Sequence, residues 1–132
     1  MLFRSDAMWG YTGERGGRYW QWAGKFAARA DDVMSWPGAR LTALLVVLLR
    51  SGRWVFRLPR EARITPSPNS GWPMAAFALA LNIRLGKPGV YVLNGAASAP
   101  VAHDVANAVR LATTAIVIFV LVAEATMFGL SL

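Results

Sequence analysis

The sequence predicts an all-α integral membrane protein, and three observations carry that expectation. Apolar residues make up 55% of the 132 residues and charged residues only 16%, an unusual pairing for a water-soluble chain. The stretch from Leu111 to Leu132 is 22 residues long with Glu124 as its single charge, enough to cross a bilayer. The formal charge of +7 is localised: residues 39–73 carry Arg40, Arg50, Arg53, Arg57, Arg60 and Arg63 against the lone acid Glu61. Basic charge beside apolar segments marks the cytoplasmic face of a membrane. Nucleic acid is disfavoured as a partner, because the basic residues alternate with apolar runs too long for an exposed binding face. With no cysteine, neither disulfides nor a thiolate metal site can hold the fold. Residues 1–132 read as one membrane-associated region.

Met1 to Ser5 is too short and too polar to form the core of a signal peptide. Asp6-Ala7-Met8-Trp9-Gly10-Tyr11 follows with no helix start ahead of it, as in a chain cut from something longer. From Arg18 to Ser35, apolar residues fall at Tyr19, Trp22, Ala23, Phe26, Ala27, Ala30, Val33 and Met34, the three-four spacing of one helical face. Arg18, Gln21, Lys25, Arg29 and Asp32 take the other face. The pattern suits an amphipathic helix at a membrane interface and equally a helix packed on its neighbours. Trp36-Pro37-Gly38 is expected to end it, since proline removes a donor and glycine weakens continuation.

Ala39 to Leu49 is then apolar apart from Arg40 and Thr42. Its 11 residues reach only about 16 Å at about 1.5 Å each, short of a hydrocarbon core of about 30 Å. The segment is either re-entrant or buried in a bundle, or it continues through Trp54-Val55-Phe56 with Arg50 and Arg53 paired inside protein. The first is preferred, because it leaves Asp31-Asp32 and the Pro66–Pro73 turn on one side. Met74 to Leu81 reads as an apolar helix too short to span, Gly86-Lys87-Pro88-Gly89 as a break, and Tyr91 to Pro100 as a loop of small residues. His103 reads as an exposed residue at the start of the last helix. Arg110, on the side of the arginine cluster, places that end of the final helix in the cytoplasm. Glu124 lies near the far interface, where a carboxylate is tolerable.

Three polar groups are not explained by membrane packing. Asp31 and Asp32 point about 100° apart on a helix, so both cannot chelate one ion unaided, though either can hold Mg²⁺ through water. Arg40, one turn into an apolar helix, needs an acceptor: a phosphate, a carboxylate, or Asp31 or Asp32 as an internal partner. Arg60-Glu61-Ala62-Arg63 precedes Pro66-Ser67-Pro68-Asn69-Ser70-Gly71-Trp72-Pro73, in which three prolines restrict the backbone, Asn69 can bond its own backbone and Gly71 admits conformations closed to other residues. Such a turn loses little entropy on binding, so Ser67, Asn69 and Ser70 suit contact with an anion. A stiff connector between helices is the alternative.

Asp6-Ala7-Met8 with Gly10-Tyr11, Ala28-Arg29 with Asp31-Asp32, Ala39-Arg40-Leu41-Thr42, Pro66-Ser67-Pro68-Asn69 with Gly71-Trp72-Pro73, and Arg84-Leu85-Gly86 with Tyr91 occur in order. Together they resemble the C-terminal part of the adenosylcobinamide-phosphate synthase (CobD/CbiB) family of cobalamin biosynthesis. The resemblance implies a multi-pass enzyme of the bacterial inner membrane, with its site on the cytoplasmic side. It further implies a ligase that uses ATP and Mg²⁺ to join aminopropanol, or its O-phosphate, to adenosylcobyric acid, a corrinoid, through an amide bond. On that reading Asp31 and Asp32 hold metal, Arg40 and Arg63 meet phosphate, and Ser67, Asn69, Ser70, Gly71, Trp72 and Arg84 contact substrate. The partners implied are membrane lipid and an N-terminal half of the same protein. Thr65 departs from the pattern where histidine is common, and the proline near Trp36 is shifted by one residue. A non-catalytic AmpE-like membrane signalling protein, or an inactive fragment, is the alternative. Retention of Asp31-Asp32 and of the whole turn argues against the former.

Overall fold

The computed structural model describes residues 14–15, 18–19, 21–50 and 52–130. The Met1–Ser5 start, the Asp6–Tyr11 blocks and the last two residues lie outside them. The chain separates after Gly38 into two compact units.

In the first unit, β1 (Glu14–Arg15) and β2 (Arg18–Tyr19) pair antiparallel, with Arg15 opposite Arg18. Helix α1 (Gln21–Leu49) starts here, three residues later than the apolar periodicity suggests. Of the expected apolar face, Phe26, Val33 and Met34 are all exposed, a surface that suits lipid or another helix.

The expected break at Trp36-Pro37-Gly38 and the short re-entrant Ala39–Leu49 helix are not found: α1 runs unbroken for 29 residues with Pro37 inside it. Proline removes only one ladder bond, so the helix on either side of Pro37 stays closed. The Ser35 hydroxyl donates to Asp31 O at 2.7 Å, adding a local bond in the turn before the proline. The Ala28–Leu49 stretch is 22 residues, about 33 Å of helix, so the length that made this region too short to span no longer applies. The topology preference built on two separate segments lapses with it. The helix stops at Leu49, and a 3₁₀ turn (Arg53–Arg57) follows an extended Gly52, with Trp54 Nε1 donating to Arg50 O at 2.8 Å.

In the second unit, α2 (Leu58–Ala62) and α3 (Gly71–Ala80) pack on the end of α1. The core is built largely from alanine: Ala43, Ala62, Ala75, Ala76 and Ala78 cluster with Val46, Leu58, Leu79, Leu93 and Leu111. Small side chains let backbones approach closely, as helices packing in lipid require. At 10 residues, α3 is the short apolar helix that the sequence places from Met74 to Leu81, begun one turn earlier. It ends in a Schellman motif, with Asn82 at φ +53°, Asn82 N donating to Leu79 O and Ile83 N to Ala78 O.

The segment expected as a break and a loop is a hairpin, so the chain is mostly helical rather than all-α. β3 (Leu85–Lys87) pairs with β4 (Tyr91–Leu93), Gly86 opposite Val92. Pro88 and Gly89, the latter at φ +72°, occupy the middle of a turn closed by Val90 N donating to Lys87 O at 3.0 Å, the positions where a type II turn wants them.

Helix α4 (Ala102–Leu130) begins at Ala102 rather than Leu111. Asp104 reaches back to accept from Val101 N at 2.9 Å, a capping bond, and His103 is exposed beside it, as expected. The stretch Ala102–Gly129 is long and apolar enough to cross a membrane, and Ile116, Val117, Leu121 and Val122 along it are exposed.

Candidate functional site

The Pro66–Pro73 turn is held from within by hydroxyls. Thr65 Oγ1 shares its hydrogen between Ser67 O at 3.0 Å and Ala62 O at 3.4 Å. Ser67 Oγ in turn accepts from Asn69 N at 3.4 Å and Ser70 N at 3.3 Å, capping the approach to α3 in the manner of an N-cap serine. This explains the departure at Thr65: the position is buried and needs a short donor. The Ser67 side chain thus closes the turn onto its own backbone.

Gly71 is required by contact, not by dihedral freedom. It lies outside the positive-φ residues, but a Cβ there would overlap Ala62 O and Thr65 Oγ1, so any side chain would push α3 off α2.

Arg40, on α1, joins this turn. Its guanidinium carbon lies 4.2 Å from the centroid of the Trp72 ring, and Nη1 donates to Pro68 O at 3.5 Å. The structure thus gathers Arg40, Pro68 and Trp72 around the segment that holds Ser67, Asn69, Ser70 and Gly71. Asn69 is only 5% exposed and lies inside the turn, whereas Ser70 is exposed and Ser67 half-buried. Arg63, just past the end of α2, is exposed. Arg84 belongs elsewhere in this unit, lining a pocket of about 360 Å³ along the hairpin with Gly86, Lys87, Pro88, Val92 and Gly95. Asp31, half-buried, and Asp32, exposed, lie in the first unit. Among the described residues no three of His, Cys, Asp or Glu come together.

A polar knot behind the turn escapes the sequence reading. Glu61 Oε2 accepts from Asn94 N at 2.8 Å and its Oε1 lies 3.5 Å from Arg57 Nη2, which also donates to Asn94 Oδ1 at 3.2 Å. Asn94 Nδ2 donates to Ala78 O at 3.1 Å and Ile83 O at 3.3 Å, tying the hairpin to the end of α3. Two signals in the sequence point there: a lone acid in an arginine-rich stretch, and the Asn94-Gly95 pair. An apolar cleft of about 420 Å³ lies between α3, β3 and the start of α4, bounded by residues such as Phe77, Leu81, Leu85 and Val105.

The CobD/Cbib protein family model matches residues 4–122. The chain is 41% identical over 128 residues to the probable cobalamin biosynthesis protein CobD of Methanothermobacter thermautotrophicus, covering 92% of this chain and 42% of that protein. It is 40% identical over 102 residues to the cobalamin biosynthesis protein CobD of Halalkalibacterium halodurans, covering 69% of this chain and 31% of the relative. To the probable cobalamin biosynthesis protein CobD of Pyrococcus furiosus it is 36% identical, across 94% of this chain and 40% of the relative. The chain therefore spans less than half the length of these curated relatives. No solved structure matches it. The family match takes in Arg40, the turn, the hairpin and most of α4, and on its extent the chain belongs to the CobD/CbiB family.

Proposed function

We propose that this chain contributes part of a membrane ligase of cobalamin biosynthesis, one that forms an amide between adenosylcobyric acid and aminopropanol or its O-phosphate with consumption of ATP. The observation that carries the reading is the Arg40 guanidinium laid on Trp72 beside Pro68 O, in a chain of this family. In such a reaction the corrinoid carboxylate takes the terminal phosphoryl group of ATP, the amine attacks the resulting acyl phosphate, and phosphate leaves as the nitrogen gives up a proton. The negative charge at the transferred group calls for fixed cations. Arg40 suits that task because its contacts with the Trp72 ring and Pro68 O hold the guanidinium in place beforehand. Arg63 offers a second, exposed guanidinium. Ser70 and the Ser67 hydroxyl proton are the donors for a nucleotide oxygen or a corrinoid amide, while buried Asn69 shapes the turn that presents them.

Mg²⁺ bound to ATP would neutralise phosphate charge. Mg²⁺ is commonly held by one or two carboxylates together with substrate phosphates, and Asp31 and Asp32 fit that donor set better than they fit an all-protein cage. Either carboxylate would hold such an ion through water or directly, and the ion would supply positive charge to the phosphates.

The test is amide formation in membranes carrying this chain together with the N-terminal part of a relative, supplied with adenosylcobyric acid, aminopropanol and MgATP. Arg40→Ala and Arg63→Ala should each lower turnover about a hundredfold. Arg40→Lys should recover little of it, because the ammonium cannot stack as a plane. Full turnover in the double alanine variant would sink the assignment, and no turnover in any combination would favour the non-catalytic AmpE-like reading.

A further inference from the structure

The pocket along the hairpin has a composition of its own. Arg84 and Lys87 line it, both exposed, and neither makes an ion pair among the described residues. No acid occurs in the sequence between Glu61 and Asp104, and Glu61 is already engaged by Arg57 and Asn94 N. Gly86 and Gly95 also line it, and at Gly86 a Cβ would come within 2.6 Å of Tyr91 O, so the hairpin itself requires glycine there. The Arg84 backbone is anchored by its N donating to Ser98 O at 2.8 Å, so the side chain projects from a fixed base. Val92 lines the same pocket and is 50% exposed, Val90 in the hairpin turn is 54% exposed, and Val101, 61% exposed, directly precedes α4 with its long apolar stretch.

Cations with exposed β-branched residues at the foot of a membrane-length helix form the chemistry of a bilayer interface. We infer that this pocket binds a phosphate group, that of an anionic phospholipid, with Arg84 and Lys87 on the phosphate and Val90, Val92 and Val101 against the first acyl carbons. A guanidinium and an ammonium lining one pocket of about 360 Å³ suit a phosphodiester, and the valines add what a free phosphate would not use. The inference goes beyond the ligase reading and does not depend on turnover.

Native mass spectrometry of the chain, extracted from vesicles of phosphatidylglycerol or of phosphatidylcholine, provides the test. Phosphatidylglycerol should be retained in preference. Arg84→Gln and Lys87→Gln should each reduce its retention about fivefold, with Arg84→Lys keeping most of it. Arg110→Gln, which removes an exposed cation from α4 and not from the pocket, should leave retention unchanged. Equal retention of both lipids, or an equal loss with Arg110→Gln, overturns the site. Arg84-dependent binding of inorganic phosphate without lipid preference overturns the phospholipid assignment.

Discussion

Asn94 sits at φ +48° with its backbone N–H on Glu61 and its side chain shared among Arg57, Ala78 O and Ile83 O. It is 2% exposed, so these groups have no water to replace a lost partner. Asn94→Ala should cost about 2–4 kcal/mol, from unsatisfied partners and from a left-handed dihedral that asparagine tolerates better than alanine. Asn94→Gly removes the same side-chain bonds but relieves the dihedral, and should melt above the alanine variant by about 1 kcal/mol of stability. Thermal unfolding in detergent checks both; identical melting of the two would show that the dihedral contributes nothing. Gly71→Ala tests close approach at the same scale. Overlap with a backbone carbonyl cannot be relieved by a rotamer change, so a loss of about 1–3 kcal/mol is expected in the same assay.

At the scale of elements, α1 is the instructive case. A Trp-Pro-Gly triplet is a strong helix stop in water, where the freed carbonyls find solvent, and the sequence reading applied that rule. The rule fails here: α1 passes Pro37 with one ladder bond missing and stays helical on both sides. Pro37→Ala returns a donor to Val33 O and should slow hydrogen exchange through that turn, with stability raised by up to about 3 kcal/mol. Unchanged exchange would mean that the proline is already fully accommodated. The last helix was legible because 22 residues with one charge have few other fates. The hairpin was carried by Pro88-Gly89, whose turn chemistry is local, but its strands are only 3 residues long and show too little alternation to detect. Of the candidate site, the turn was visible in its prolines. The Arg40–Trp72 contact joins residues 32 positions apart, and the Asn94 bonds to Glu61 and Arg57 join residues 33 and 37 apart; no local spacing reports such pairs.

For the molecule as a whole, the segment between the two membrane-length stretches, residues 50–101, holds seven basic residues and one acid. If both stretches cross a bilayer, the positive-inside rule predicts that this segment faces the cytoplasm. Because the chain has no cysteine, single thiols can be added without removing any. Ile64→Cys and Ala99→Cys, both at exposed positions, should react with a membrane-impermeant maleimide only when the cytoplasmic face is open. Labelling from opposite faces would overturn the placement of residues 50–101 on one side of the bilayer. The alanine core sets a different kind of limit. Ala75, Ala76 and Ala78 are fully enclosed, and alanine has no rotamer to change. A shift in α3 caused elsewhere finds no neighbouring side chain able to turn and absorb it, so damage to this unit is hard to repair by second-site substitution. In a saturation library, α3 becomes a stripe that admits only glycine, alanine and serine, and its drift over generations is slower than that of the exposed apolar faces around it.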